Sequence, residues 1–323
     1  MSRAALTGYA VWVSIGIGTS GWSYPTGRGT WNGIFYPSPR PRGFDELAYY
    51  AEHFDTVEVN STFYRMPEPD VARAWLRRTP SSFTFSVKLF QKFTHPDMYL
   101  ERAGTTDWDV SRTDLDLFRR GIEPLITGGR MAAVLLQFPP SFHAEPATRE
   151  YLDWLLASLA SYPLAVELRH RSWSDDRSDT WACLRARQAA WVLIDEPKFA
   201  DSIVQDPFAE AGGDVAETPP LLYLRLHGRN ARTWWSHAET EDRYDYLYAA
   251  EDLMPFAEAA RRASRAGRRV LMYLNNHFSA KAAANAAILS HQLDTPVRGE
   301  YLREMVSRYP ALAGIVRTSG LPI

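Results

Sequence analysis

Eight times along the chain a short apolar run ends in polar residues at spacing two and then breaks into glycine, proline or loop. The runs are 15–20 (IGIGTS), 56–64 (TVEVNSTFY), 83–89 (FTFSVKL), 131–138 (MAAVLLQF), 165–169 (AVELR), 191–195 (WVLID), 221–227 (LLYLRLH) and 269–276 (RVLMYLNN). Each is too short for a helix and reads as a β-strand, with alternate side chains on opposite faces. The alternation puts Glu58, Asn60 and Thr62 on one face, Ser86 with Lys88, Glu167 with Arg169, and Tyr223, Arg225 and His227 together. The run 131–138 is nearly all apolar, as suits a parallel strand covered on both sides.

Between these runs the apolar spacing turns helical. Helices are expected over 44–53, after the acidic and proline-rich turn 67–70, over 114–126 with Gly128-Gly129 as a stop, and over 148–162, 181–188 and 249–266. Ser279 is the expected N-cap of an alanine-rich helix reaching residue 293. Residues 201–220 are rich in Gly, Pro, Asp and Glu without periodicity and read as a long loop replacing a helix. No linker separates two cores. The fold class is therefore α/β, a single closed parallel TIM (β/α)8 barrel with an irregular sixth helix region. Its expected bounds are an extension over 1–14, the barrel domain over 15–293, and a C-terminal helix and tail over 294–323. The competing architecture, an open doubly wound sheet, usually binds phosphate at its first turn, and Gly16-Ile17-Gly18 has no helix immediately after it.

A length of 323 residues fits one large barrel, and 46% hydrophobic residues can fill its core. Net charge is −2, so no global basic field indicates nucleic acid. The lone cysteine, Cys183, excludes an internal disulfide and a multi-thiolate metal site, and suits a reducing compartment. The N-terminal apolar patch, residues 10–13, is too short for a signal peptide or a membrane span, so a cytoplasmic protein without a membrane partner is expected. Oligomeric state is left open.

Eight segments, IGTSGWSY, VEVNSTFY, FSVK followed by Thr94-His95, LLQFPPSF, VELRHRSW, LIDEP, LRLHGR and YLNN, occur in this order between about 15 and 293. Together they resemble the YecE-like family, also known as domain of unknown function 72. The resemblance implies a TIM barrel distantly similar to the xylose isomerase and endonuclease IV barrels, and it implies no particular reaction. One departure is His277, which stands where the family motif often continues Asn-Asn-Asp.

If the runs are neighbours in one barrel, their polar ends converge on one rim. The carboxylates there are Glu58, Glu167 and Asp195, and the cations are Lys88, Arg169 and Arg225. In a water-poor cleft they must pair with each other or with substrate. Arg225 is suited to grip an anion bidentately, and His227 can exchange a proton near neutral pH. The expected catalytic groups are Glu58, Glu167 and His227; the expected substrate contacts are Asn60, Lys88, Gln137, Arg169, Asp195, Arg225, Tyr273 and Asn275, with Trp22 and Trp173 as stacking walls. No cofactor and no metal ligand is assigned. Glu58, Glu167, Asp195 and His227 would suit Mg²⁺ or Mn²⁺, but Arg169 and Arg225 would stand beside that ion. The expected function is a hydrolase or lyase acting on a small anionic substrate such as a phosphorylated sugar or nucleotide. The alternatives are a metal-dependent nucleic-acid phosphodiesterase and a non-catalytic barrel that binds a ligand or RNA.

Overall fold

Nine strands carry the fold in the computed structural model, which describes residues 15–206, 219–234 and 240–319. They are β1 (Ile15–Thr19), β2 (Thr56–Val59), β3 (Thr84–Lys88), β4 (Met131–Gln137), β5 (Leu164–Glu167), β6 (Ala190–Trp191), β7 (Leu193–Asp195), β8 (Leu221–Leu226) and β9 (Arg269–Leu274). They form two parallel sheets, ordered β2-β3-β4-β5-β6 and β1-β9-β8-β7. Helices intervene between most consecutive strands, as parallel pairing demands.

The sheets meet at two places. The expected sixth strand is split into β6 and β7, one in each sheet, and the N–H of the intervening Val192 donates to the Val166 carbonyl at 2.9 Å. On the other side an isolated parallel bridge joins Ser20 to Glu58, and the Gly21 N–H donates to the Glu58 carbonyl at 2.8 Å. Below that bridge the Tyr50 hydroxyl accepts from the Thr19 N–H at 2.8 Å and donates to the Thr56 carbonyl at 3.1 Å.

The helices pack the faces that their sequences mark as apolar. Helix Arg112–Thr127 is started by a Ser111/Asp114 capping box, buries Leu115, Phe118, Ile122 and Leu125, and stops at Gly128. Helix Pro146–Ser158 buries Leu152, Leu155 and Leu156. Helix Lys281–Gln292 lies on β1 and β9, its alanines allowing close approach of the backbones.

Two local expectations change. Strand β2 ends at Val59, because Asn60 opens a helical turn, Ser61–Tyr64, so the period-two pattern does not continue to Tyr64. Ser279 is not a side-chain cap: it and Ala280 have φ of 53° and 62°, and the Ser279 N–H donates to the Gly29 carbonyl at 3.0 Å. The C-terminal tail contains helix Arg303–Arg308, and Glu300–Tyr301 pairs in parallel with Arg317–Thr318. The 1–14 extension and most of the 201–220 loop lie outside the described residues. Among the described residues no helix is long and apolar enough to cross a membrane.

A Cβ on Gly18 would meet the Thr56 carbonyl oxygen at 2.1 Å and its carbon at 2.9 Å. Backbone cannot step aside as a flexible side chain can, so Gly18→Ala is expected to cost on the order of 3 kcal/mol, read as a lowered urea midpoint.

Candidate active site

Strand register brings the polar ends to one face. Glu58 pairs with Ser86, Glu167 with Gln137, and Arg225 with Tyr273. Arg225 Nε and Nη2 donate to the two oxygens of Glu58 at 2.9 and 2.7 Å, and Nη1 donates to Glu167 Oε2 at 2.5 Å. The Tyr223 hydroxyl adds a bond to Glu58 Oε2 at 2.7 Å. Glu58 and Glu167 are fully buried and Arg225 almost so. Burial opposes the charge on Glu167, but Arg225, Arg169 and His227 hold its carboxyl well below the usual carboxylate range. Burial likewise opposes the Arg225 charge, and Glu167 and Glu58 more than offset it.

Above this group, Arg169 Nε donates to Glu167 Oε1 at 2.7 Å, and its Nη1 stands 3.6 Å from Glu196 Oε2. That Glu196 oxygen is buried without a hydrogen bond, and burial raises the carboxyl's pKa. His227 is enclosed. Its Nδ1 meets Asn275 Nδ2 at 2.9 Å, and its Nε2 faces Glu167 Oε1 at 3.6 Å. Desolvation lowers its pKa to about 3, so it stays neutral at physiological pH.

Lys88, at the end of β3, is partly buried with its Nζ 3.7 Å from the centre of the Phe63 ring. Desolvation, then Arg225, lowers its pKa to about 7. His95 packs edge-on against the same Phe63 ring at 4.8 Å, and its Nε2 lies 3.5 Å from Gln137 Nε2. Desolvation, then Lys88, takes the His95 pKa to about 3. A cleft of about 520 Å³ opens above the cluster, lined among others by Arg169, Glu196, His143, His170, Ser202 and Trp234. His143 and His170 stack there at 3.8 Å.

Residues 16–307 match the family model described as "Protein of unknown function DUF72". The chain belongs to the DUF72 family. It is 27% identical over 286 residues to the UPF0759 protein YunF of Bacillus subtilis (strain 168), spanning 87% of this chain and 97% of YunF. It is 31% identical over 130 residues to the UPF0759 protein YecE of Escherichia coli (strain K12), spanning 40% of this chain and 43% of YecE. A solved DUF72 family protein from Thermotoga maritima MSB8 is 35% identical, with a TM-score of 0.70 over 87% of this chain and 99% of that one. Another, from Enterococcus faecalis V583, shares the fold at 23% identity, with a TM-score of 0.73 over 89% of this chain and 99% of its own.

Within this DUF72 chain the expected site residues divide. Glu58, Glu167, Arg169, Arg225, His227 and Asn275 form one connected network, and Lys88 and Gln137 border it. The pairing corrects two roles. Arg225 is buried with its charge matched by two carboxylates, so it does not present itself to an anion in the cleft, and His227 does not titrate near neutrality. Tyr273 lies deeper, its hydroxyl shared with Thr56 at 2.6 Å and Ser86 at 2.9 Å. Asp195 is in register with Leu226, on the face opposite Arg225, and binds Arg229 at 2.8 Å and Tyr248 at 2.7 Å. Asn60 begins the helical turn after β2, with a buried Oδ1 that has no partner. Trp22 packs edge-on against Trp75 at 6.2 Å. Trp173, expected on the rim, is fully buried, with its Nε1 donating to the Phe142 carbonyl at 2.7 Å, so it builds core and not a stacking wall. His277, the departure from the family motif, stacks on Tyr24 at 4.4 Å inside an aromatic cluster.

Glu196 was missed. The signal was present in Asp195-Glu196, since only one of two consecutive residues can face the cluster, and the strand pairing selects the second. A divalent ion at Glu58 and Glu167 would compete with the Arg225 guanidinium that bridges them, and Asp195 is on the other face. Among the described residues no group of three or more His, Cys, Asp or Glu side chains gathers as a metal site.

Arg225→Met strands two buried carboxylates, and a loss of about 3–5 kcal/mol is expected by urea unfolding, partly restored by adding Glu58→Gln. For His227 the folded pKa of about 3 lies below its ordinary 6.5, so its contribution is complete above 6.5 and is lost as the pH falls below it. At pH 5 that loss is about 2 kcal/mol, and His227→Gln should flatten the unfolding free energy between pH 7 and 5 by that amount.

Proposed function

We propose that this DUF72 chain is an enzyme on a closed (β/α)8 barrel, of hydrolase or lyase type, acting on a small anionic substrate such as a phosphorylated sugar or nucleotide. Closure into one barrel is supported by the Ser20–Glu58 bridge on one side and the strand shared as β6 and β7 on the other. The observation that carries the functional reading is a cation without a counter-ion beside the buried network. The Lys88 Nζ has neither hydrogen bond nor ion pair among the described residues, and it lies near Arg225 and Arg169, which are already engaged by carboxylates. Like charges held together out of water are relieved by an incoming anion.

Arg169 is the group placed to hold that anion, being partly exposed to the cleft while Glu167 fixes its orientation. Glu196 is the proton carrier: its carboxyl lines the cleft, and burial keeps it protonated to higher pH than an ordinary carboxyl. Glu58, Glu167 and Arg225 form the rigid base under both. Trp234, on the cleft wall, offers a ring or sugar an apolar face.

Inorganic phosphate should raise the melting temperature of the protein, and Arg169→Gln should weaken that response roughly tenfold in phosphate concentration. In a phosphate-release screen of sugar phosphates and nucleotides, Glu196→Gln should lose about 10²-fold or more in turnover while its phosphate response persists. Absence of any thermal response to phosphate, sulfate or a sugar phosphate overturns the reading.

A further inference from the structure

Of the 36 lysines and arginines only four are lysines: Lys88, Lys92, Lys198 and Lys281. Three of them have polar partners. Lys92 pairs with Asp114 at 2.9 Å, Lys281 with Asp245, and Lys198 donates to the Ile203 carbonyl at 3.4 Å. The Lys88 Nζ has no polar partner among the described residues and lies 3.7 Å from the centre of the Phe63 ring, nearer an aromatic face than Lys92 on Tyr99 at 5.4 Å or Lys281 on Phe278 at 5.7 Å. The Phe63 ring favours the ammonium form modestly, while desolvation and the neighbouring guanidiniums work against it, leaving its pKa near 7. Desolvation beside another cation is how a lysine becomes a nucleophile at neutral pH. His95, edge-on to the same Phe63 ring, is kept neutral and does not compete for the anion.

We infer that Lys88 is a covalent catalytic residue that forms an imine with the carbonyl carbon of a phosphorylated or otherwise anionic aldehyde or ketone. The inference rests on the anion-site reading above and narrows its substrate to carbonyl compounds. The neutral Nζ lone pair forms the C–N bond as the carbonyl π pair moves to oxygen, which takes up a proton. The nitrogen gives up a proton, and the hydroxyl leaves as water with one proton from the medium, producing a C=N bond. Protonated, this iminium restores the positive charge that Lys88 carried as an ammonium. No oxidation or reduction occurs.

The test uses the full chain with glyceraldehyde 3-phosphate and sodium cyanoborohydride, followed by intact mass and peptide mapping. One reduced adduct at Lys88 is expected, with half-maximal labelling near pH 7 and at least fivefold suppression by inorganic phosphate. Glyceraldehyde lacking the phosphate should label at least tenfold more slowly. Lys88→Arg and Lys88→Gln should abolish the adduct, with circular dichroism reporting that both variants fold. Labelling of Lys92, Lys198 or Lys281 in preference to Lys88, or no labelling, overturns the inference. If phosphate still raises the melting temperature in that case, the anion site stands and only the imine falls. If neither response occurs, both fall.

Discussion

Arg225 reaches from β8 to Glu58 on β2 and to Glu167 on β5, so one guanidinium ties the four-stranded sheet to two separate strands of the five-stranded one. The arrangement needs an arginine. Its flat fork donates twice to one carboxylate and once to the other, which an ammonium on a flexible stem cannot reproduce. Removing these charges from water is costly, and only near-complete hydrogen bonding compensates for it. Tyr223 contributes to that satisfaction, and Arg169 takes up the oxygen of Glu167 that Arg225 leaves open. Everything polar above depends on this base being dry and saturated.

The same saturation decides which groups can do chemistry. Residues inside the network are held by their partners: Glu167 stays ionised, His227 stays neutral and Arg225 stays charged across the physiological range. Polar groups with unmet bonding capacity lie at its edge, where partners run out. Glu196 keeps an oxygen without a hydrogen bond, and Lys88 meets a ring in place of a carboxylate. A candidate site defined by charge alone would therefore select this saturated base before the unmet groups beside it.

Period-two alternation made the strands and the facing of Glu58, Glu167, Arg225 and His227 legible, because a pleated strand admits no other arrangement. It misled where the backbone left the strand. Asn60 follows Glu58 at the right spacing, yet it belongs to a helical turn. Asp195 ends its strand as a polar residue should, but the register turns it to Leu226 and leaves Glu196 to the cleft. Trp173 reads as a rim aromatic from its place after β5, and it is buried by Phe142 and Arg149, which are remote in sequence. Such errors are tertiary. Spacing along the chain carries no information about which distant element will cover a side chain.

The Tyr50 phenol, bonded to both Thr19 and Thr56, does the work of absent backbone pairing between β1 and β2. A ladder built from peptide groups is indifferent to what lies behind it, whereas this stitch is sewn from helix Glu46–His53. The seam and the first helix thus become a single mechanical unit: neither can shift without the other, and strand cohesion at that point is inherited from how well a helix is seated.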